Sequence, residues 1–316
     1  MLAYLDKIKK TNFYAEARYC WRAVFKYRHP WSYFINRFFV YKKIARINIA
    51  RLGLPETDAY SFHTLCGHKH VFMLAWSLAS WLYQTKVLPE IYLHADGSLT
   101  KDDELLLHHI FPRLRIIDPA EVKDKIVSAL ADYPHIRAYR DNYKKHPVYL
   151  PKLIDPYFVS HAPYKLFFDV DVLFFAYPKE VLANISAKIP FMAAGNVDMF
   201  LTEGLAGFRY ADGACPKDAP GFVNGGIVGY PEEGFSLSAL DYFFERCGPT
   251  SQYRLIEQAG YAYILNRNKN FQKLDQRQYH IKGAVGENTV TKHYTGPRRE
   301  EFWSEGVKIL KKRIFQ

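Results

Sequence analysis

Apolar positions in this chain alternate between short and long segments from about residue 60 onward. The short ones, "YSFHTLCG" (60–67), "EIYLHA" (90–95) and "RLRIID" (113–118), read as strands. Between them, "KHVFMLAWSLASWLYQ" (69–84) is apolar almost all round and predicts a buried helix. "TKDDELLLHHI" (100–110) predicts a helix with Thr100 as N-cap and Asp103 completing a capping box. Asp102, Asp103 and Glu104 then lie in its first turn, where the helix dipole favours acids, so this acid cluster reads as structural. "PAEVKDKIVSALADY" (119–133) and "VYLPKLIDPYFVSH" (148–161) are expected to be further helices. Such alternation predicts an α/β fold: a Rossmann-like, mostly parallel mixed sheet with helices on both faces.

Ahead of this region the pattern changes. Gly53 and Pro55 in "LGLPETDAY" (52–60) break helix and mark a boundary. The expected organisation is a basic, aromatic-rich helical extension over 1–55, a main domain over 56–303 and a basic tail over 304–316. There is no internal repeat and no low-complexity linker. The net charge of +11 is concentrated in the extension. Residues 1–51 hold 12 Lys and Arg against two acids, Asp6 and Glu16, while the rest holds 31 against 30. Tyr14, Tyr19, Trp21, Phe25, Tyr27, Trp31, Phe34, Phe38 and Phe39 are interleaved with those cations. This mixture suits an anionic membrane surface. It also suits helices packed on the main domain with a solvated basic face, and, least favoured, nucleic acid. "VKILKKRIFQ" at the far end repeats the pattern.

An apolar share of 49% in 316 residues is enough for a full core. Cys20, Cys66, Cys215 and Cys247 are far apart, which argues against a zinc site or disulfide framework and fits a reducing compartment. "MLAYLDKIKK" has no apolar core of a secretory signal, and the apolar stretch at 71–83 is too short to span a bilayer. The expectation is a cytoplasmic protein, at most peripheral at the inner membrane face.

The chemistry concentrates in "KLFFDVDVLFF" (165–175). Burying a carboxylate costs several kcal/mol unless something pairs with it, yet Asp169 and Asp171 interrupt an apolar run. In a parallel sheet, ligands bind beyond the carboxyl ends of strands. Two acids at i and i+2 on an extended segment point to one side and can grip Mg²⁺ or Mn²⁺, which commonly bridges to phosphate. The bland alternative is a polar strand end facing water. Two enzyme classes use an apolar strand followed by D-x-D. "FFDVDVL" resembles the first motif of haloacid-dehalogenase-type phosphatases, which also need a later Lys and an acidic pair. After residue 171, Asp198, Asp212, Asp218, Asp241 and Asp275 stand isolated.

Other segments resemble the second class, nucleotide-sugar glycosyltransferases of the GT-A type. "GFVNGGIVGY" (221–230) resembles their apolar N-A-G or N-G-G strand. Gly225 and Gly226 let a backbone approach a ligand closely, and Asn224 offers a donor and an acceptor to a sugar. "TKHYTGPRREEFW" (291–303) resembles the H-x-x-G-x-x-K-P-W segment of glycosyltransferase family 8. That resemblance implies His293 as a third metal ligand beside Asp169 and Asp171, and Gly296 in a loop over the diphosphate. Arg298 or Arg299 would replace the missing Lys, since guanidinium matches phosphate oxygens bidentately. "YRLIEQAGYAYILN" (253–266) resembles the family's D-Q helix, placing Glu257 and Gln258 at the donor sugar; the alternative is an exposed polar pair. "IYLHADGSLTKDDELL" resembles bacterial GT-A enzymes outside family 8. The resemblance spans roughly 60–303.

Topology adds Thr64, Cys66 and Gly67 at the end of the first strand as nucleoside contacts. It adds Asp96 at the end of the second, for base or ribose, unless "ADG" is a plain turn. The resemblance implies that Lys152, on the helix before the D-x-D strand, reaches the donor, as an Arg or Lys at that place often does in the family. The pairs His68/His70 and His108/His109 lack partners at metal spacing and read as structural. The resemblance implies a metal-dependent hexosyltransferase-like enzyme that moves a sugar from a UDP-linked donor to a glycan, lipid or protein hydroxyl, with retention, in surface glycan or glycolipid synthesis. The competing readings are the phosphatase and a non-catalytic membrane- or nucleic-acid-binding protein.

Overall fold

Two sheets meet where the D-x-D segment turns. In the computed structural model, residues 12–26, 29–141, 150–195, 222–247 and 255–315 are described. The first sheet has seven strands in the order β3-β2-β1-β4-β7-β6-β8. They are β1 (Glu56–Cys66), β2 (Leu88–Ala95), β3 (Leu114–Ile117), β4 (Tyr164–Phe168), β6 (Phe191–Ala194), β7 (Val223–Pro231) and β8 (Gln272–Lys273). The second has three, β5 (Val172–Phe174), β10 (Thr291–His293) and β9 (Tyr279–His280). Strands β3, β2, β1 and β4 run parallel, while β7 is antiparallel to both its neighbours. The sheet is therefore mixed and mostly parallel on one side, as the strand–helix alternation predicts.

Strand β4 is buried along its whole length. Leu166 and Phe168 face one core with Trp81 and Phe174, and Phe167 faces the other with Leu153 and Tyr261. The strand's apolar residues follow from having both faces covered, and the one charged residue, Lys165, is paired with Glu232 at 2.6 Å. The 69–84 segment forms helix Val71–Thr85, nearly all buried. The capping box at Thr100 and Asp103 is present on helix Lys101–Ile110. One helix is shorter than its sequence suggests. It ends at Ala129, and a second, Pro134–Asp141, starts at a proline, whose fixed φ suits the first position of a helix. Helix Leu150–Val159 leads into β4; the first residues of that predicted helix, 148 and 149, lie outside the described residues.

The described part of the basic extension is helical and wraps the first core. Helix Asn12–Trp21 continues as a π-turn to Lys26, and Pro30–Phe34 continues as a π-turn to Val40. Tyr33, Val40, Ile44 and Ile49 are buried in one cluster with Trp76, Trp81, Phe302 and Leu310. Arg22 Nη2 donates to Glu300 Oε2 at 2.9 Å, Ser32 Oγ to the Ser304 carbonyl at 2.6 Å, and Lys311 Nζ to Asn36 Oδ1 at 2.8 Å. Extension and C-terminal segment thus pack on each other and against helix Val71–Thr85. No described helix is long and apolar enough to cross a membrane.

Candidate functional site

The strand that carries the two acids does not stay extended. After Phe168 the chain turns, with the Val172 amide donating to the Asp169 carbonyl at 3.1 Å, and resumes as β5 in the other sheet. The i, i+2 geometry expected of an extended strand is therefore replaced by a tight turn. The turn is pinned from both sheets: the Asp169 amide donates to the Gly226 carbonyl at 3.0 Å, and the Tyr294 amide to the Asp171 carbonyl at 2.8 Å.

Strand β10 brings His293 to this turn. Its Nε2 lies 3.0 Å from Asp171 Oδ1 and 3.5 Å from Asp169 Oδ2. One ligand atom from each of Asp169, Asp171 and His293 falls within 4.8 Å of the others. The adjacent β7 explains its own sequence. A Cβ on Gly226 would collide with the His293 ring, and one on Gly225 would sit 2.6 Å from Gln258 Cγ. Asn224 Oδ1 accepts the Gly226 amide at 2.8 Å and lies 2.7 Å from His293 Nδ1. With the Nδ1 proton directed at Asn224, Nε2 is left facing two carboxylates. That arrangement needs a proton or a cation between them. The donor set, two hard oxygens and an imidazole, fits Mn²⁺ or Mg²⁺.

Helix Ile256–Leu265 supplies the wall. Gln258 Oε1 accepts the Gly225 amide at 2.7 Å and the Asn224 side-chain amide at 3.3 Å. Glu257 and Gln258 are buried, so the exposed-pair alternative does not apply. Lys152, on helix Leu150–Val159, is also buried, with Nζ 2.7 Å from Asp169 Oδ1 and 3.4 Å from Glu257 Oε1. The Tyr261 hydroxyl donates to its main-chain carbonyl at 2.6 Å.

These charges set one another's protonation. Burial alone would raise the Asp171 carboxyl, but His293 and Arg299 outweigh it and hold it well below the usual carboxylate range. Burial likewise pushes Lys152 down, and Asp169 and Glu257 more than restore it, leaving a firmly held ammonium. For Glu257 burial wins: its carboxyl is raised, Lys152 opposing and Asp169 adding to the shift.

The two candidate arginines part company. Arg299 Nε donates to Asp171 Oδ2 at 3.1 Å and its Nη1 to His70 Nε2 at 3.0 Å. Arg298 turns to Glu301, at 3.0 Å, beside a cavity of about 490 Å³ that Lys292 and Lys308 also line. Side-chain alternation along β10 puts Lys292 on the face opposite His293. Gly296 is exposed and a Cβ there would meet open space, so no close approach within the chain requires glycine at this position.

The remaining candidates lie at the ends of β1 and β2. The Asp96 amide donates to the Cys66 carbonyl, and the Asp96 carboxylate lies against the Cα of Gly67, where a Cβ would collide with it. Asp96 also caps its own turn through Ser98, so the turn role is met. Burial, then Asp96 and Asp103, push the Cys66 thiol up, which keeps it neutral. Thr64 Oγ1 is buried without a hydrogen-bond partner among the described residues.

His70 belongs at the edge of this site, against the structural role its sequence suggests. Burial, then Arg299, lower its pKa to about 4, so it accepts from the guanidinium as a neutral ring. The readable signal was its place just after Gly67, where the first strand's end meets the next helix. His68 does stay structural, with Nδ1 2.7 Å from Asp103 Oδ2.

No protein-family model matches the chain, and no curated protein sequence does. Solved structures do. Mouse xyloside xylosyltransferase 1, in its apo form, aligns at 11% identity and a TM-score of 0.50, covering 76% of this chain and 98% of that one. The bifunctional glycosyltransferase WbbM aligns at 12% and 0.48, covering 81% of this chain and 51% of that one. An active-site mutant of LgtC aligns at 11% and 0.44, covering 75% and 88%. At such identities the xylosyltransferase alignment speaks for the fold alone, and that fold is the GT-A type the sequence leads one to expect.

Proposed function

We propose that the chain is a metal-dependent glycosyltransferase that moves a sugar from a UDP-linked donor to a hydroxyl of a glycan, lipid or protein. The observation that carries this reading is the convergence of Asp169, Asp171 and His293 at the carboxyl end of β4, beside the Gly225–Gly226 backbone and Arg299. A Mn²⁺ or Mg²⁺ ion held by Asp169, Asp171 and His293 would neutralise charge on the leaving diphosphate.

The chain's own residues supply the rest. Arg299 is the phosphate-binding arginine of the pair, because it stands at the Asp171 carboxylate while Arg298 is committed to Glu301. His70 holds the guanidinium in place through a neutral ring nitrogen. Asn224 orients His293, and Gln258, whose carbonyl is fixed by the Gly225 amide, presents its side chain to the donor sugar. Lys152 keeps Asp169 and Glu257 together without repulsion. Thr64, Gly67 and Asp96 take the nucleoside at the ends of β1 and β2.

The test is to incubate the purified chain with a panel of nucleotide-sugars and Mn²⁺. UDP release should require the metal, vanish with EDTA, and fall on the order of a thousandfold in Asp171→Asn. Phosphate release from simple monoesters with no nucleotide-sugar turnover would replace this reading with the phosphatase.

A further inference from the structure

Helical residues 30–44 bury one face and still carry aromatic side chains on the other. Tyr33, Asn36, Val40 and Ile44 point into the core. On the outer side, Trp31 is 79% exposed, Ile35 46% and Phe39 75%, at i, i+4 and i+8. The π-turn over Ile35–Val40 widens the helical repeat, which keeps that spacing in line. Phe38, Trp21 and Phe25 are also exposed, and Trp21 and Phe25 touch each other with ring centroids 5.7 Å apart. A surface helix ordinarily leaves its outer face polar, and exposed apolar clusters mark interaction surfaces.

We propose that this face docks on an anionic phospholipid bilayer. Charge selects that partner. Arg18, Lys26, Lys42, Lys43, Arg46 and Arg51 are exposed along the same segment. Glu16 is the one acid between residues 12 and 55. It is engaged by Arg37 and, at 3.1 Å, by the Tyr33 hydroxyl. Aromatic and aliphatic side chains ringed by Lys and Arg match the boundary between anionic headgroups and acyl chains. A second copy of the chain would bring the same cations face to face. A nucleic acid can stack on Trp and Phe but gains nothing from exposed Ile35 and Leu52. The inference stands apart from the transferase reading, since none of these residues belongs to the candidate site.

The tryptophans make the test direct. Trp21 and Trp31 are exposed, whereas Trp76, Trp81 and Trp303 are buried. The full chain is mixed with vesicles of phosphatidylcholine alone or with phosphatidylglycerol, with or without brominated acyl chains. Sedimentation should occur with anionic vesicles and fade with salt, and brominated lipid should quench fluorescence. Trp21→Phe with Trp31→Phe should abolish the quenching and keep the binding. Lys42→Glu with Lys43→Glu should weaken binding roughly thirtyfold, and Trp31→Ala with Phe39→Ala roughly tenfold, with melting temperature unchanged in both. No sedimentation with anionic vesicles, or sedimentation indifferent to both double variants, overturns the proposal. So does a concentration-dependent dimer, or oligonucleotide binding, that depends on Trp31 and Phe39 while vesicles are ignored.

Discussion

Lys152 and Lys42 carry the same charge in opposite surroundings. Lys152 is buried between Asp169 and Glu257, at 2.7 and 3.4 Å. Lys42 stands exposed on the helical layer, near the ring of Tyr41. Around Lys152 every charge answers another: Asp169 and Asp171 meet Lys152, His293 and Arg299. Around Lys42 the cations are in excess and face outward. The first arrangement is a closed set of neighbours that holds a geometry. The second is open, and its charge acts on whatever approaches. Electrostatics in this chain therefore has two separate uses, and the net charge reports only the second.

Four measurements can break or sharpen that contrast. Lys152→Met leaves Asp169 and Glu257 facing each other without a counter-charge, and urea unfolding should show a loss of about 3–5 kcal/mol; unchanged stability would mean the closed set is not needed for folding. Next in size is a pH effect. The folded His70 pKa, near 4, lies below its value of about 6.5 in an unfolded chain. The unfolded state thus binds the proton first, and stability should fall as pH drops from about 6.5 towards 4. His70→Asn should recover up to about 3 kcal/mol of that fall, while His63 and His94, buried and also shifted down, sustain the remainder. A pH profile identical to the parent's would remove His70 from the set. Third, Asn224→Ala frees the His293 ring, and calorimetric Mn²⁺ affinity should drop about 10–100-fold, unless the ring is held by the carboxylates alone. Last, Lys42→Met should change unfolding free energy by less than about 0.5 kcal/mol; a larger loss would place Lys42 with Lys152 instead of apart from it.

Sequence reading reached the sheet side of this comparison well. The run Leu166–Phe168 before Asp169 marks a strand covered on both faces, and β4 is that strand. Gly225 and Gly226 signal close approach, and the ring and side chain that approach them are now identified. The break at Asp169–Asp171 was hidden because Val172–Phe174 is as apolar as Leu166–Phe168, and hydrophobic pattern does not say which sheet a run joins. That Arg299 meets Asp171 while Arg298 turns to Glu301 was hidden too, since adjacent residues on a helical turn point in different directions. The outer layer was harder still. Trp31 and Tyr33 are two residues apart and equally aromatic, yet one is exposed and the other buried. Composition sees both as core material; only the burial of Tyr33 in the first core separates them.

The turn between β4 and β5 has a mechanical side. Asp169 ends a strand of the seven-stranded sheet, and His293 sits on the three-stranded one. An ion gripped by both would act as a rivet between two plates. Any slide or tilt of one plate alters the span of the grip, so stiffness of this part of the molecule and occupancy of one small ion become a single quantity. Limited proteolysis or hydrogen exchange across the β9–β10 edge, followed as Mn²⁺ is titrated, would read that rigidity without any turnover.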